Sequence, residues 1–291
     1  MTKIVLFYFS GTGNTKWVCE TVANYLSEQE RNDLMGLPLS IEHLNRSITS
    51  KFTEAADVLG IVFPIYGGAP PKAMTEFIKT IPPARKKQKA LIICTQSFFS
   101  FSGGDTVRDI LASKGYSVDW CAHIKMPNSL CVHTFPYSVF KYSDEPEYIK
   151  PFLSKAENKI AALCDKIIHE KKYLQGFSML SRATGSAYRF LAKDYFHGKL
   201  SIMNKNCTDC GICSQTCPMK CIKSVDGYKT IGKECTGCMK CYNLCPNNDI
   251  LFDGAPLTLK HGTPYRGPKA EVKFNSALLK ITKETGAISK I

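Results

Sequence analysis

The chain has 291 residues, 44% of them hydrophobic and 22% charged, with fourteen cysteines and a formal net charge of +13. That length buries a full core and suits two domains of about 100 to 200 residues, which excludes an isolated binding motif. The opening MTKIVLFYFS has one lysine, a short apolar run and no small-residue cleavage site, so no secretory signal is expected. The longest uncharged stretches, 90–104 and 126–140, are broken by polar residues or proline and fall short of the roughly 18 apolar residues of a spanning helix. The expectation is therefore a cytoplasmic protein with no membrane span, whose thiols are reduced and whose regularly spaced cysteines bind metal.

In chain order, the first 125 residues alternate apolar runs with helical patterns, as a doubly wound parallel sheet does. The runs are KIVLFYF (3–9), SIEHL (40–44), DVLGIVFPIY (57–66), KALIICTQ (89–96) and YSVDWCAHIKM (116–126). The first, third and fourth are apolar throughout, which suits strands covered on both faces, and the second alternates like an edge strand. Helices are expected after GNT, over PPKAMTEFIKTI and over GDTVRDILASKG, and the rhythm of Ile149, Phe152, Ala156, Ile160, Leu163 and Ile167 predicts a long amphipathic helix over 147–174. These limits give a first domain at 1–175 and a helical connector at 176–200, in which Tyr188, Leu191 and Tyr195 share a face. The cysteine repeats occupy 201–250 and an extended tail 251–291, with a short helix near 277–282.

The first strand runs into SGTGNT, Ser10 to Thr15, which opens a helix. Exposed N–H groups, Ser and Thr hydroxyls and the positive end of the helix dipole converge there on an anion, and Gly11 and Gly13 admit close backbone approach. Neither the Walker pattern nor the dinucleotide fingerprint is present, so a monophosphate fits. In a sheet of order 2-1-3-4-5 a ligand lies beyond the carboxyl ends of strands one and three, with strand four beside it. Strand three ends in FPIYGGAPP, where Gly67 and Gly68 let backbone near a flat ligand and Tyr66 can pack on it. Strand four ends in TQSFFSFSGG, where Ser97 can hydrogen-bond and Phe98 or Phe99 can cover a ring. Each aromatic taken singly is as well explained by core packing.

CTDCGICSQTCP from Cys207 and CTGCMKCYNLCP from Cys235 are two copies of C-x2-C-x2-C-x3-C-P that start 28 residues apart. Three thiolates within seven residues reach three corners of an iron–sulfur cubane, the fourth coming from elsewhere, whereas zinc sites take two close pairs separated by a longer loop. A structural zinc scaffold is thus the weakest reading. The other six cysteines, Cys221 among them, are read as core thiols.

The first 175 residues resemble flavodoxins. SGTGNT is similar to their phosphate loop for FMN, and CTQSFFSFSGG to their flavin-flanking loop. The resemblance implies that Ser10, Thr12, Gly13, Asn14 and Thr15 hold the phosphate. It also implies that Pro64, Tyr66, Gly67, Gly68, Thr95, Ser97, Phe98 and Phe99 border the flavin. One departure is that these loops carry no acidic residue, where typical flavodoxins do.

The repeats resemble a bacterial two-[4Fe-4S] ferredoxin. That implies one cluster on Cys207, Cys210, Cys213 and Cys245, and another on Cys235, Cys238, Cys241 and Cys217. Over residues 1–250 the whole resembles the flavodoxin–ferredoxin fusion proteins of anaerobes. The implied fold class is α/β, a flavodoxin-like five-stranded parallel sheet followed by a small α+β ferredoxin-like domain.

The implied function is electron transfer between two [4Fe-4S] clusters and FMN, with no catalytic acid, base or nucleophile. The alternative is an FMN-dependent reductase of a small substrate, with segment 126–146 as its lid. Two oxidised clusters and a flavin phosphate, at about −2 each, would lower the net charge to about +7. The dense basic runs, ARKKQK (84–89) and HEKKY (169–173), read as solvated surface rather than a nucleic-acid site. Redox proteins are the expected partners, and the residual charge suits an acidic one.

Overall fold

The computed structural model describes residues 2–28, 34–40, 46–85, 88–99, 102–135, 137–192, 198–260 and 265–268. Strand β1 (Thr2–Tyr8) lies inside a parallel sheet, between β2 (Leu34–Ser40) and β3 (Val58–Pro64). Beyond β3 follow β4 (Lys89–Gln96) and β5 (Ser117–Lys125), in the order β2-β1-β3-β4-β5. Successive side chains of a strand face opposite sides. Ile4 and Leu6 therefore pack with Val18 and Val22 of α1 (Asn14–Glu28) and Ile160 of α5 (Pro146–Ile168). Val5 and Phe7 pack on the other face, with Ile78 of α3 (Lys72–Thr80) and Leu111 of α4 (Asp105–Ser113). A further helix, α2 (Arg46–Ala55), precedes β3. Two covered faces explain why the strands read as unbroken apolar runs.

Three boundaries differ from the sequence expectation. The second strand is Leu34–Ser40, and residues 41–45 of the segment expected there lie outside the described residues. The long helix stops at Ile168 rather than near 174, because Glu170 takes a left-handed φ of 53° and turns the chain. Released from the helix, β6 (Tyr173–Leu174) then pairs in parallel with Trp120 and Cys121, adding a sixth strand. The connector holds α6 (Met179–Ala192), while the shared face of Tyr188, Leu191 and Tyr195 lies outside the described side chains, as does the short helix expected at 277–282.

From residue 200 the chain builds a smaller unit. β7 (Leu200–Ile202) pairs antiparallel with β10 (Ile250–Phe252), and β8 (Ile222–Val225) forms a hairpin with β9 (Tyr228–Ile231). Asp226 and Gly227, at φ 49° and 81°, make the two-residue turn with positive φ that matches strand twist. The 28-residue repeat is visible in the backbone. Helix α7 (Ile212–Gln215) answers to α8 (Lys240–Leu244). The residues flanking Cys210, Asp209 and Gly211, have positive φ, as do Gly237 and Met239 around Cys238. Lys220 and Asn248, each three residues after a fourth cysteine, do the same.

The two units share a core. Cys131, Val132 and Tyr142, from the segment after β5, are buried with Tyr242, Ile250 and Phe252. The Tyr242 hydroxyl donates to the Cys131 carbonyl at 3.1 Å, and the Tyr142 hydroxyl donates to the Thr258 carbonyl at 2.6 Å. Cys131, Val132 and Tyr142 therefore make their segment a bracket between the units. No helix among the described residues is long and apolar enough to cross a membrane.

Candidate functional site

The loop after β1 is shaped by its own side chains. Ser10 Oγ accepts the Gly13 N–H at 3.1 Å, Gly13 takes a φ of 109°, and its carbonyl accepts the Trp17 N–H that starts α1. The first N–H groups of the helix are left to an outside acceptor. Thr15 and Thr95, both buried, place their hydroxyls 2.7 Å apart. One proton satisfies that contact, so the pair retains a second O–H for an acceptor such as a phosphate oxygen. Asn14 differs from the expectation in one respect. Its amide donates to the Pro127 carbonyl at 2.9 Å and its Oδ1 accepts from the Tyr265 hydroxyl at 2.6 Å, so the side chain is engaged and the backbone N–H is what it offers.

After β3 the chain reverses between Tyr66 and Ala69, which exchange backbone hydrogen bonds across Gly67 and Gly68 at φ 56° and 78°. Tyr66 is thereby held beside the phosphate loop, where its hydroxyl would stand 2.5 Å from a Cβ on Gly11. After β4, the Phe98 ring packs on Phe140 with centroids 4.0 Å apart, which draws the bracket segment over the same space.

These loops enclose a cavity of ≈ 400 Å³, lined by Ser10, Thr12, Asn14, Thr15, Pro64, Tyr66, Gly67, Gly68, Thr95, Ser97, Phe98 and Phe99. Gly13 alone of the expected binding residues stands behind the lining, packed on Gly267. Sequence reasoning missed Gln96, Gly237, Cys238 and Asn243, which line it too, while Leu130 and Phe140 come from the 126–146 segment expected as its lid. None of the described lining residues is charged, so the anion end depends on N–H and O–H dipoles, and the rest is mainly apolar with a few amide and hydroxyl groups. Gln96 and Asn243 each leave a buried amide oxygen without a hydrogen-bond partner among the described residues. A flat ring bearing N–H groups, with a phosphate on its side chain, matches this division.

The cysteines gather around two smaller cavities. Cys207, Cys210, Cys213 and Cys245 line one; Cys217, Cys235, Cys238 and Cys241 line the other. The fourth cysteine of each repeat thus faces the first three of the other copy. Cys207 and Cys210 are exposed, whereas Cys241 is buried and Cys238 half-buried. No three described His, Cys, Asp or Glu side chains converge as for a single ion. Each thiolate of a cubane binds its own iron, so its four sulfurs stand further apart than around one zinc. Desolvation pushes the Cys238 thiol up to about 12 and raises Cys241 as well, so loading metal here releases protons.

Cys221 also lines the second cavity, with its Sγ 3.5 Å from that of Cys217. Its place next to β8 in the apolar core accounts for its burial, and the repeat has no counterpart for it. Cys221→Ala is therefore expected to leave iron content unchanged, measured by iron analysis of the anaerobically purified variant, with Cys217→Ala as the contrasting loss.

Residues 193–250 match the family model of a 4Fe-4S dicluster domain. No curated protein matches the chain in sequence. Among solved structures, the FMN-bound flavodoxin of Fusobacterium nucleatum is 16% identical, covering 58% of this chain and 99% of its own, with a TM-score of 0.38. The two-electron reduced flavodoxin of Megasphaera elsdenii is 20% identical over 56% of this chain and 98% of its own, at 0.36. An azoreductase from Bacillus anthracis is 10% identical over 57% of this chain and all of its own, at 0.42. The order β2-β1-β3-β4-β5, with a cavity beyond the ends of β1 and β3, is that of the flavodoxin-like fold independently of these figures.

The strand order and the matched segment together define an iron–sulfur protein built on a flavodoxin-like sheet. The chain is a fusion of a flavodoxin-like unit and a ferredoxin-like 4Fe-4S unit.

Proposed function

We propose that the chain is an electron-transfer iron–sulfur flavoprotein, carrying electrons between two [4Fe-4S] clusters and FMN. Domains would run 1–175 for the flavin, 176–200 for the connector, 201–250 for the clusters and 251–291 for the tail. The observation that carries the reading is Cys238, which lines both the flavin-sized cavity and the inner cysteine cavity. Its carbonyl oxygen would be 3.6 Å from a Cβ on Gly11, within the phosphate loop. A cluster on Cys217, Cys235, Cys238 and Cys241 would adjoin the flavin. One on Cys207, Cys210, Cys213 and Cys245, with two exposed thiols, would face outside partners.

The cofactors would supply one-electron carriers and a flavin that accepts one or two electrons. The chain's residues anchor, shield and align them. Phosphate-loop N–H groups and the Thr15–Thr95 pair would fix the phosphate, while Tyr66 and Phe98 would flank the ring. Cys131, Val132 and Tyr142 hold the cluster unit while Leu130 and Phe140 of the same segment line the cavity, so the segment joins the units and shields the ring at once, which supports the carrier reading.

Anaerobic purification followed by iron, zinc and flavin analysis tests the reading. About eight irons and one FMN per chain are expected. Zinc with little iron, or clusters with no flavin bound, would contradict it.

A further inference from the structure

The tail carries no motif, yet part of it lies against the phosphate loop. The geometry points to Tyr265 and Gly267 as positioning residues of the flavin-phosphate site: a strap from the iron–sulfur unit that holds the Ser10–Thr15 loop in its phosphate-binding shape. This rests on the FMN reading above.

Three contacts support it. Gly267 takes a φ of 96° and lies so close to the loop that a Cβ there would collide with the Thr12 carbonyl oxygen and stand 3.0 Å from Gly13 Cα. Gly13 reciprocates, since a Cβ on it would be 3.4 Å from Gly267 Cα and 3.7 Å from the Arg266 carbonyl oxygen. Backbone therefore packs on backbone at Gly267, where a side chain has no room, while at Gly13 the positive φ of 109° is what favours glycine. The third contact is the fully buried Tyr265, whose hydroxyl donates to Asn14 Oδ1 at 2.6 Å, across 251 positions of sequence.

The strap is anchored at its other end. It leaves β10, and the Thr258 N–H donates to the Cys131 carbonyl at 2.9 Å, the same oxygen that accepts from Tyr242 of α8. Helix α8 carries Cys241 and ends just before Cys245, so the described tail residues are tied to the cluster unit at Thr258 and to the loop at Tyr265 and Gly267. A loop whose N–H groups are already fixed loses less entropy when it takes up an anion. The strap therefore acts on the phosphate and not on the ring.

The test compares FMN with riboflavin, which shares the ring and lacks the phosphate, in flavin-fluorescence titrations of the flavin-stripped full chain with its iron retained. Tyr265→Phe removes one hydroxyl with little risk to folding, and Gly267→Ala forces strap and loop apart. Both are expected to weaken FMN binding by about tenfold or more, while riboflavin affinity and iron content stay at wild-type values. Variants that bind FMN as tightly as wild type, or that lose FMN and riboflavin affinity equally, overturn the strap's role. A wild-type protein that binds no FMN overturns the flavin reading itself, and the strap with it.

Discussion

Cys238→Ala is expected to lower iron from about eight to about four atoms per chain and to cut electron delivery from the clusters to the flavin by about 100-fold or more. Cys238 lines both cavities, so removing its thiolate removes a ligand of the cluster that would stand next to the flavin. The outer four thiols, Cys207, Cys210, Cys213 and Cys245, have their own cavity and are expected to keep their irons. The size of the rate loss follows from losing the advantage of two adjacent centres in one chain, whose effective concentration is millimolar or more. Direct chemical reduction of the flavin should continue, because the variant leaves the phosphate loop and Tyr66 in place.

Cys217→Ala supplies a sharper form of the same prediction. By sequence Cys217 belongs to the first repeat, but it lines the inner cavity with Cys235, Cys238 and Cys241. It should therefore behave like Cys238→Ala and unlike Cys207→Ala. Iron analysis and single-turnover flavin reduction check both. Full iron with an undiminished rate in Cys238→Ala, or a Cys217→Ala variant that matches Cys207→Ala, would contradict the ligand sets.

Thr15→Val is the second large effect, expected on FMN binding alone. The substitution keeps the side-chain shape at a buried position at the start of α1 and removes the hydroxyl 2.7 Å from that of Thr95. Two losses combine: the hydrogen bond available to a phosphate oxygen, and the partner of the buried Thr95 hydroxyl. A hydrogen bond to a charged group is worth about 1.5–3 kcal/mol, so FMN affinity should fall by about 10- to 100-fold. Fluorescence titration of the flavin-stripped protein measures this, and iron content should be unaffected. Unchanged FMN affinity would remove Thr15 from the phosphate site.

Much of this was legible in the sequence where chemistry is local. A strand, SGTGNT and a helix start make an anion site by their adjacency alone, and the alternation of faces along β1 needs only covered sides to read as KIVLFYF. The cysteine spacing names the metal chemistry because three thiolates in seven residues suit few other ends. What was not legible lies in parts without a period. The β2 strand LMGLPLS carries Gly36 and Pro38, which disguise a strand, and Pro38 is tolerated because β2 is at the sheet edge. The two residues of β6 are too few to show any pattern.

Long-range contacts were hidden for a different reason. Nothing near Asn14 announces that its side chain will be taken by Tyr265. Around Gly267 the chain packs backbone on backbone, so the constraint is written only as a glycine that looks like any loop glycine. Segment 126–146 was expected to leave strand five on the flavin side, and Leu130 and Phe140 do line the cavity; its tie to the cluster unit follows only from the partners that Cys131 and Tyr142 meet.

The most direct test of the account is a single-turnover experiment in which the clusters of the full-length protein are reduced under anaerobic conditions and the flavin absorbance is followed. Electrons that pass within one chain give a first-order flavin reduction whose rate does not change with protein concentration. A rate proportional to protein concentration, or reduced clusters beside a flavin that stays oxidised in the presence of a sufficiently strong reductant, would contradict it.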